Sequence, residues 1–155
     1  MILIINHFVP LQGDEDIVGV VRFTQLLDKL CLVDGVIDGI KRQNNYSLNI
    51  HEFGDLSGQG FQHLGRVLVP ILPKVSASDP TLPSRASFKT QVSGCDLSSC
   101  IGRSLAVSLQ DRVIGAGIVA RASSVGDNTK KICDCSGRSL WDERSIKQED
   151  PSSRL

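Results

Sequence analysis

The sequence predicts an all-β protein whose short antiparallel strands are connected as a meander or a Greek key. Short segments rich in alternating or β-branched apolar residues end in glycine-containing turns, and none has the period of an amphipathic helix. Hydrophobic residues make up 41% of the chain and charged residues 22%, which is ordinary for a globular protein. Strands are predicted at residues 1–8, 17–24, 32–37, 46–53, 86–91, 101–109 and 113–120.

Two regions depart from the strand pattern. Residues 70–83 (PILPKVSASDPTLP) contain four prolines among small polar residues, which predicts an irregular loop. After Arg121 the chain becomes rich in serine, asparagine, lysine and aspartate, and apolar residues survive only near Ile132 and Trp141. We therefore expect a β domain over residues 1–121, irregular at 57–85, and a tail over residues 122–155 that ends in disorder.

Charge and hydropathy exclude several classes of function. Lys+Arg and Asp+Glu number 17 each, so nucleic acid and anionic lipid are not expected partners. No apolar run is long enough to span a membrane, and the apolar start lacks the basic segment and cleavage site of a secretory signal. The odd number of cysteines does not fit a disulfide scaffold, which favours a reducing cytoplasm.

The sharpest chemical feature is the pair Cys133 and Cys135. Two thiolates one residue apart can hold one small ion if the backbone turns, and Gly137 favours a turn nearby. Two sulfurs do not complete a tetrahedral zinc site but suit Cu(I), and the same pair can exchange with a disulfide on another protein. From the pattern alone, two incidental surface thiols are an equally good interpretation.

The other three cysteines carry weaker signals. Cys31 is expected to be a buried or half-buried free thiol. Cys95 and Cys100 could approach each other across a loop, although a reducing compartment favours two unpaired thiols.

The three histidines are too scattered to predict a metal centre. His51 shares a strand face with Asn49, where a second histidine would have completed half of a site. Because asparagine is a poor ligand for copper or zinc, a hydrogen-bonded core role is favoured for His51, with metal ligation as the alternative. His7 and His63 are expected to be structural or solvated.

Several segments together carry a family resemblance. NIHEFGDL, IGRSL and GIVARAS are shared with superoxide dismutases, whereas Cys-x-Cys followed by Leu-Trp-Asp-Glu-Arg is specific to their copper chaperones. The chain therefore resembles the copper chaperone for superoxide dismutase. The matching segments are GVVRFTQ (19–25), VDGVIDGI (33–40), NIHEFGDL (49–56), CIGRSLAV (100–107), GAGIVARAS (115–123) and KKICDCSGRSLWDER (130–144).

This resemblance implies a fold, a partner and a cargo. The fold would be an eight-stranded Greek-key β-barrel or sandwich of the Cu/Zn superoxide dismutase type, which docks on an immature dismutase as a heterodimer. Cys133 and Cys135 would be the thiols that transfer Cu(I) and assist disulfide formation. Docking, or self-association as a homodimer, would use the surface made by four residues: Gly54, Ile101, Gly102 and Arg121.

The chain also departs from the family. A separate copper-binding domain with a Met-x-Cys-x-x-Cys loop normally comes first, and its absence from this sequence predicts an N-terminally short form. Where a dismutase has metal ligands, this chain has Asn49, Arg66 and Ser108, and the zinc-binding loop is shortened. Three histidines cannot supply a dismutase's two metal sites, so dismutase activity is not expected and zinc binding is doubtful.

The family's barrel disulfide is missing as well, because its two ends fall near Gly60 and at Ala116. Loss of such a cross-link predicts a marginally stable barrel. Two alternative functions stay open: a catalytically dead module that only binds dismutase and, less favoured, a dismutase itself.

Overall fold

The computed structural model describes residues 4–9 (backbone only), 17–78 and 84–121. The chain divides into the units Met1–Ser124 and Val125–Leu155, and every described residue lies in the first. A single 3-10 turn spans Gln59–Phe61, and a one-turn helix, α1, spans Leu97–Cys100. The strands are β1 (Ile4–Val9), β2 (Val18–Leu27), β3 (Leu30–Asp38), β4 (Tyr46–His51), β5 (Val67–Val75), β6 (Arg85–Ser93), β7 (Ser104–Leu109) and β8 (Arg112–Ile118).

The strands form two four-stranded antiparallel sheets. The first sheet has the order β1-β2-β3-β6 and the second has the order β5-β4-β7-β8. The chain leaves the first sheet after β3, forms β4 and β5, and returns to pair β6 with β3, so the connection is a Greek key. The predicted all-β class is therefore confirmed. Across the described ranges the sheets form a sandwich and do not join into one closed barrel.

One core lies between the inner faces of the two sheets. Residues along β2, β3 and β4 alternate between buried and half-buried, as expected for strands with one face turned inward. For β3 and β4, the alternation that predicted the strand is therefore the alternation that fills the core, whereas β2 was predicted from its β-branched residues. Its largest fully buried side chains include Phe23, Ile37, Tyr46, Leu48, Ile50 and Ile114.

The prediction of an irregular segment at residues 57–85 was wrong over Val67–Val75, which forms β5. This strand lies at the edge of the second sheet and pairs only with β4 within the described residues. An edge strand tolerates Pro70 and Pro73 because one side of its backbone need not donate hydrogen bonds to a neighbour. The remaining prolines of the segment, at residues 80 and 83, lie outside the described residues.

The loop between β4 and β5, residues 52–66, covers part of the outer face of the second sheet. Its ends are joined by two backbone hydrogen bonds, from Glu52 N to Arg66 O (3.0 Å) and from Phe53 N to Leu64 O (2.9 Å). The side chain of Leu64 is buried against Ala106 of β7 and Ala116 of β8. The partly buried residues of this small outer cluster are Leu56, Phe61 and Val113.

The described part of the chain has no helix with both the length and the apolar character needed to cross a membrane.

Leu64→Ala tests the outer cluster. Leu64 is only 2% exposed, so truncation leaves a cavity, and we expect a loss of about 2–4 kcal/mol in the free energy of unfolding. Urea denaturation of the whole chain measures it. Leu27→Ala is the matched control because Leu27 is 69% exposed, and its change should stay within about 0.5 kcal/mol. Equal losses in the two variants would show that the loop does not pack on the sheet as described.

Candidate functional site

The predicted transfer thiols, Cys133 and Cys135, lie outside the described residues, and their role stays a prediction. In the described ranges, no group of three or more His, Cys, Asp or Glu side chains is placed to hold a metal ion. The described residues include the dismutase-like positions and the predicted docking residues.

His51 ends β4 and is buried, with an exposed fraction of 7%. Its Nδ1 lies 3.0 Å from the carbonyl oxygen of Gly65 and therefore carries the proton of that hydrogen bond. The other ring nitrogen, Nε2, is buried without a hydrogen-bond partner in the described structure. The imidazole thus links the end of β4 to the β4–β5 loop, in agreement with the core role favoured by the sequence.

The neighbours of His51 on its strand face do not supply further metal ligands. Asn49 donates from Nδ2 to Ser47 Oγ at 3.2 Å, and Ser47 lies opposite Ser108 in the β4–β7 register. An amide and two hydroxyls are weak ligands for copper or zinc compared with imidazoles. The described residues therefore do not fit the metal centre of a dismutase.

His63 is exposed, as one of the sequence interpretations expected. Its Nδ1 lies 3.6 Å from a carboxylate oxygen of Asp55 and 3.4 Å from Ser57 Oγ. Ser57 donates its hydroxyl and its amide to Asp55, which holds the pKa of that carboxyl below its ordinary value. Asp55, Ser57 and His63 thus form a small polar cluster on an exposed loop. His7 lies on β1 opposite Val21, and the structure does not describe its side chain.

The four predicted docking residues lie on neighbouring stretches of chain. A Cβ atom at Gly54 would overlap the carbonyl oxygen of Gly102, so glycine permits the two backbones to touch. The amide of Gly102 donates to the carbonyl of Val119 (2.8 Å), two residues before the exposed Arg121. Three separate segments, at residues 54, 102 and 119, therefore converge.

Two large apolar side chains flank this convergence. Phe53 is 54% exposed and Ile101 is 37% exposed, and each adjoins one of the touching glycines. We call Phe53, Gly54, Ile101 and Gly102 the Phe53–Ile101 surface. The sequence interpretation missed Phe53 because it was assigned to a strand, yet a phenylalanine beside a glycine beyond the strand end was the available signal.

Two polar side chains fix the backbone under this surface. Arg103 donates from one nitrogen to Glu52 O (2.6 Å) and from Nε to Ser99 O (2.7 Å). Ser104, which is buried, donates its hydroxyl to Phe53 O (2.6 Å). The carbonyls of residues 52, 53 and 99 are thereby held by the segment that follows Ile101, so the exposed side chains sit on an ordered backbone.

The three described cysteines are free and buried, which confirms the expectation for Cys31. Cys95 and Cys100 do approach each other, with their Sγ atoms 3.9 Å apart.

Known proteins were compared with this chain. No protein-family model matches it. The copper chaperone for superoxide dismutase of Mus musculus is 30% identical over 86% of this chain and 60% of its own length. The superoxide dismutase 1 copper chaperone of Candida glabrata is 28% identical over 88% of this chain and 59% of its own length. The chloroplastic copper chaperone for superoxide dismutase of Oryza sativa is 31% identical over 81% of this chain and 43% of its own length.

The chain thus spans about three fifths or less of these relatives. Among solved structures, the crystal structure of the clock protein EA4 shares the fold, with a TM-score of 0.59 and 19% identity over 76% of this chain and 94% of that protein. The resemblance found in the sequence is confirmed: over most of its length, this chain is a homologue of proteins named copper chaperone for superoxide dismutase.

Proposed function

We propose that this chain docks on immature Cu/Zn superoxide dismutase and assists Cu(I) insertion and disulfide formation through Cys133 and Cys135. The observation that carries the proposal is a dismutase-like sandwich with an apolar surface on an ordered backbone. At the position of a dismutase's metal centre, the described residues offer only one buried imidazole, that of His51. Such a chain is suited to bind a related subunit rather than to turn over superoxide. The names of its homologues, copper chaperones for superoxide dismutase, support the same conclusion.

Docking would use the Phe53–Ile101 surface. Exposed aromatic and aliphatic side chains on a fixed backbone cost little entropy when they are buried by a partner, so they serve well as interface anchors. Arg121, exposed beyond the end of β8, would add a polar contact at the rim. Because a dismutase-like partner presents a related surface, the same residues would serve a heterodimer or a homodimer.

The chemistry would follow from thiolate ligation. Cys133 and Cys135 would bind Cu(I) as thiolates and pass it to a better ligand set by ligand exchange, with no change in the copper oxidation state. For the disulfide step, a two-electron oxidant such as peroxide would first join Cys133 and Cys135 as a disulfide. A partner thiolate would attack it to form a mixed disulfide, and a second partner thiolate would then displace the Cys133–Cys135 dithiol. The partner would end oxidised and the pair reduced. The buried free thiols of the described domain suit a reducing cytoplasm, the compartment we assign.

Replacing both transfer thiols, Cys133→Ser with Cys135→Ser, tests the cargo. We expect the wild-type chain to bind about one Cu(I) ion with these thiolates and the double variant to lose it, because hydroxyls are poor ligands for a soft ion. Competition with a colorimetric Cu(I) chelator measures binding, and superoxide removal after mixing with copper-free dismutase measures activation. His51→Gln is the control and should keep both properties.

The other outcomes separate the alternatives. Heterodimers that form without activation by the wild-type chain would mean a module that only binds dismutase. Rapid superoxide removal by the copper-loaded chain alone would mean a dismutase. Unchanged Cu(I) binding in the double variant would refute the assignment of Cys133 and Cys135.

Phe53→Glu and Ile101→Glu test docking. A carboxylate buried at the centre of an apolar interface is expected to raise the dissociation constant of the heterodimer about 10–100-fold, which corresponds to roughly 1.4–2.8 kcal/mol. Sedimentation of mixtures with copper-free dismutase measures it. Leu27→Glu is the control, since Leu27 is exposed at the β2–β3 turn of the first sheet and should leave the constant unchanged. If the control weakens docking as much as the test variants, the surface is assigned wrongly.

A further inference from the structure

Cys95 and Cys100 lie at the two ends of the one-turn helix α1. Cys95 precedes Asp96, the N-cap residue, and Cys100 is the last residue of the helix. Their Sγ atoms are 3.9 Å apart, which is sulfur–sulfur van der Waals contact, and the two residues are 0% and 2% exposed. Neither thiol belongs to the proposed transfer pair. Two thiols in contact inside a protein are a chemical feature that simple core packing does not require, because an alanine or valine pair would fill similar space.

We propose that Cys95 and Cys100 are a peroxide-oxidisable dithiol that closes a reversible disulfide across α1. The proposal goes beyond the docking and copper functions and needs no dismutase for its test.

The backbone at both ends of α1 can make the required adjustment. Bond formation needs the sulfurs to approach by roughly 2 Å. Gly94 precedes Cys95, has a φ of 81°, and has open space where a Cβ would be. On the other side, the helix ends at Cys100 and the next residue, Ile101, is extended. Neither sulfur is therefore fixed by a long strand, and a local shift can join them.

The third buried cysteine, Cys31, lies beside Cys95, but its thiol is engaged in hydrogen bonds. The thiol of Cys31 donates to the carbonyl oxygen of Cys95 at 3.0 Å and lies 3.5 Å from Gln25 Oε1. Burial raises the pKa of the Cys31 thiol, so it stays protonated and unreactive at neutral pH. Gln25 also accepts a hydrogen bond from Leu97 N (3.0 Å), which ties β2 to the start of α1.

The electrostatics make Cys100 the reactive member of the pair. When Cys100 is ionised, its sulfur can only accept, so the Cys95 thiol 3.9 Å away becomes the donor. This interaction, with help from Ser99 and the Arg103 guanidinium, outweighs the effect of burial and lowers the pKa of Cys100 to about 7. The same interaction raises the pKa of Cys95, because the thiolate of Cys100 beside it favours the protonated form. Both chain neighbours of the buried Cys100, Ser99 and Ile101, are exposed.

The oxidation balances with one hydrogen peroxide molecule. The Cys100 thiolate attacks one peroxide oxygen, the O–O bond breaks, and a Cys100 sulfenic acid and hydroxide form. The Cys95 sulfur then attacks the Cys100 sulfur, and the S–O bond breaks. The proton of the Cys95 thiol leaves with the departing oxygen as water. Two thiols and one peroxide thus give one disulfide and two waters, and a thiol reductant reverses the change by exchange.

Trypsin separates the cysteines of the full chain into distinct peptides. Residues 90–103 contain both Cys95 and Cys100, residues 30–41 contain Cys31, and residues 132–138 contain Cys133 and Cys135. The folded wild-type chain is treated with peroxide, quenched with catalase, denatured, alkylated and analysed by mass spectrometry. We expect peptide 90–103 to lose two hydrogen atoms and to escape alkylation, while peptide 30–41 stays alkylated. A reductant should restore both alkylation sites.

Single variants identify the roles. In Cys95→Ser, Cys100 lacks its resolving thiol and should accumulate sulfenic and sulfinic acids. In Cys100→Ser, Cys95 loses the neighbouring thiolate, but burial still raises the pKa of its thiol. Its oxidation should therefore be at least about tenfold slower than that of Cys100 in Cys95→Ser. Cys31→Ser should leave the disulfide yield unchanged. In the wild type, the rate should rise as the pH rises through about 7, since the thiolate fraction of Cys100 rises.

Two results would overturn the proposal. One is a wild-type peptide 90–103 that still takes two alkyl groups after peroxide has oxidised other cysteines of the chain. The other is a disulfide that links Cys95 or Cys100 to Cys31, Cys133 or Cys135. Because the readout is internal to one peptide, it does not depend on whether the chain carries copper or binds dismutase.

Discussion

The contact between the β4–β5 loop and the outer face of the second sheet is the constraint on which the functional surface depends. Leu64 packs on Ala106 and Ala116, and small side chains at these two positions leave the room that the leucine fills. With the loop seated, the backbone bond from Phe53 to Leu64 fixes where the exposed Phe53 lies. Burial of a leucine contributes about 2–3 kcal/mol. This apolar contact therefore helps to order a surface several residues away, together with the hydrogen bonds of Arg103 and Ser104.

Seven of the eight strands in the described residues were predicted, and in β2, β3 and β4 an inward face imposes a two-residue period of burial. β5 was not predicted, because it is mostly exposed and carries two prolines, so its sequence lacks the apolar pattern of a strand. It forms a strand because it pairs with the open edge of β4. Pairing with a neighbouring strand is a tertiary interaction, which a local sequence pattern does not reveal. The start of the strand at 101–109 was misjudged for a related reason, as residues 101–103 turn after a helix too short to have a detectable period.

The site was partly predictable in the same sense. Residue types alone indicated that His51 has no second histidine beside it with which to bind a metal. Its hydrogen bond to the carbonyl oxygen of Gly65 is consistent with the core role that was favoured instead. Contact between Cys95 and Cys100 was open from the spacing, because five residues can be extended or folded into a turn. Asp96 decides the matter: its carboxylate accepts from Ser98 N at 3.0 Å, caps α1, and thereby brings the two thiols together. The exposed Phe53 was missed: the glycine after it indicated the end of the strand, but the exposure of an aromatic side chain also depends on the path of the loop that follows.

The cross-link that the family resemblance implies would have joined the loop near Gly60 to Ala116 on β8, and both ends are gone together. The outer cluster lies at this place: Phe61, next to Gly60, and Leu64 pack with Ala116. A native disulfide in a small domain contributes about 2–5 kcal/mol, and burying a leucine contributes about 2–3 kcal/mol, so the packing seen here is of comparable size. The two devices differ in kind, however. A disulfide acts by restricting the unfolded chain, whereas packing acts only while the loop is seated. The loop of this protein can therefore open without breaking a covalent bond, and the order of the Phe53–Ile101 surface is tied directly to the stability of the outer cluster.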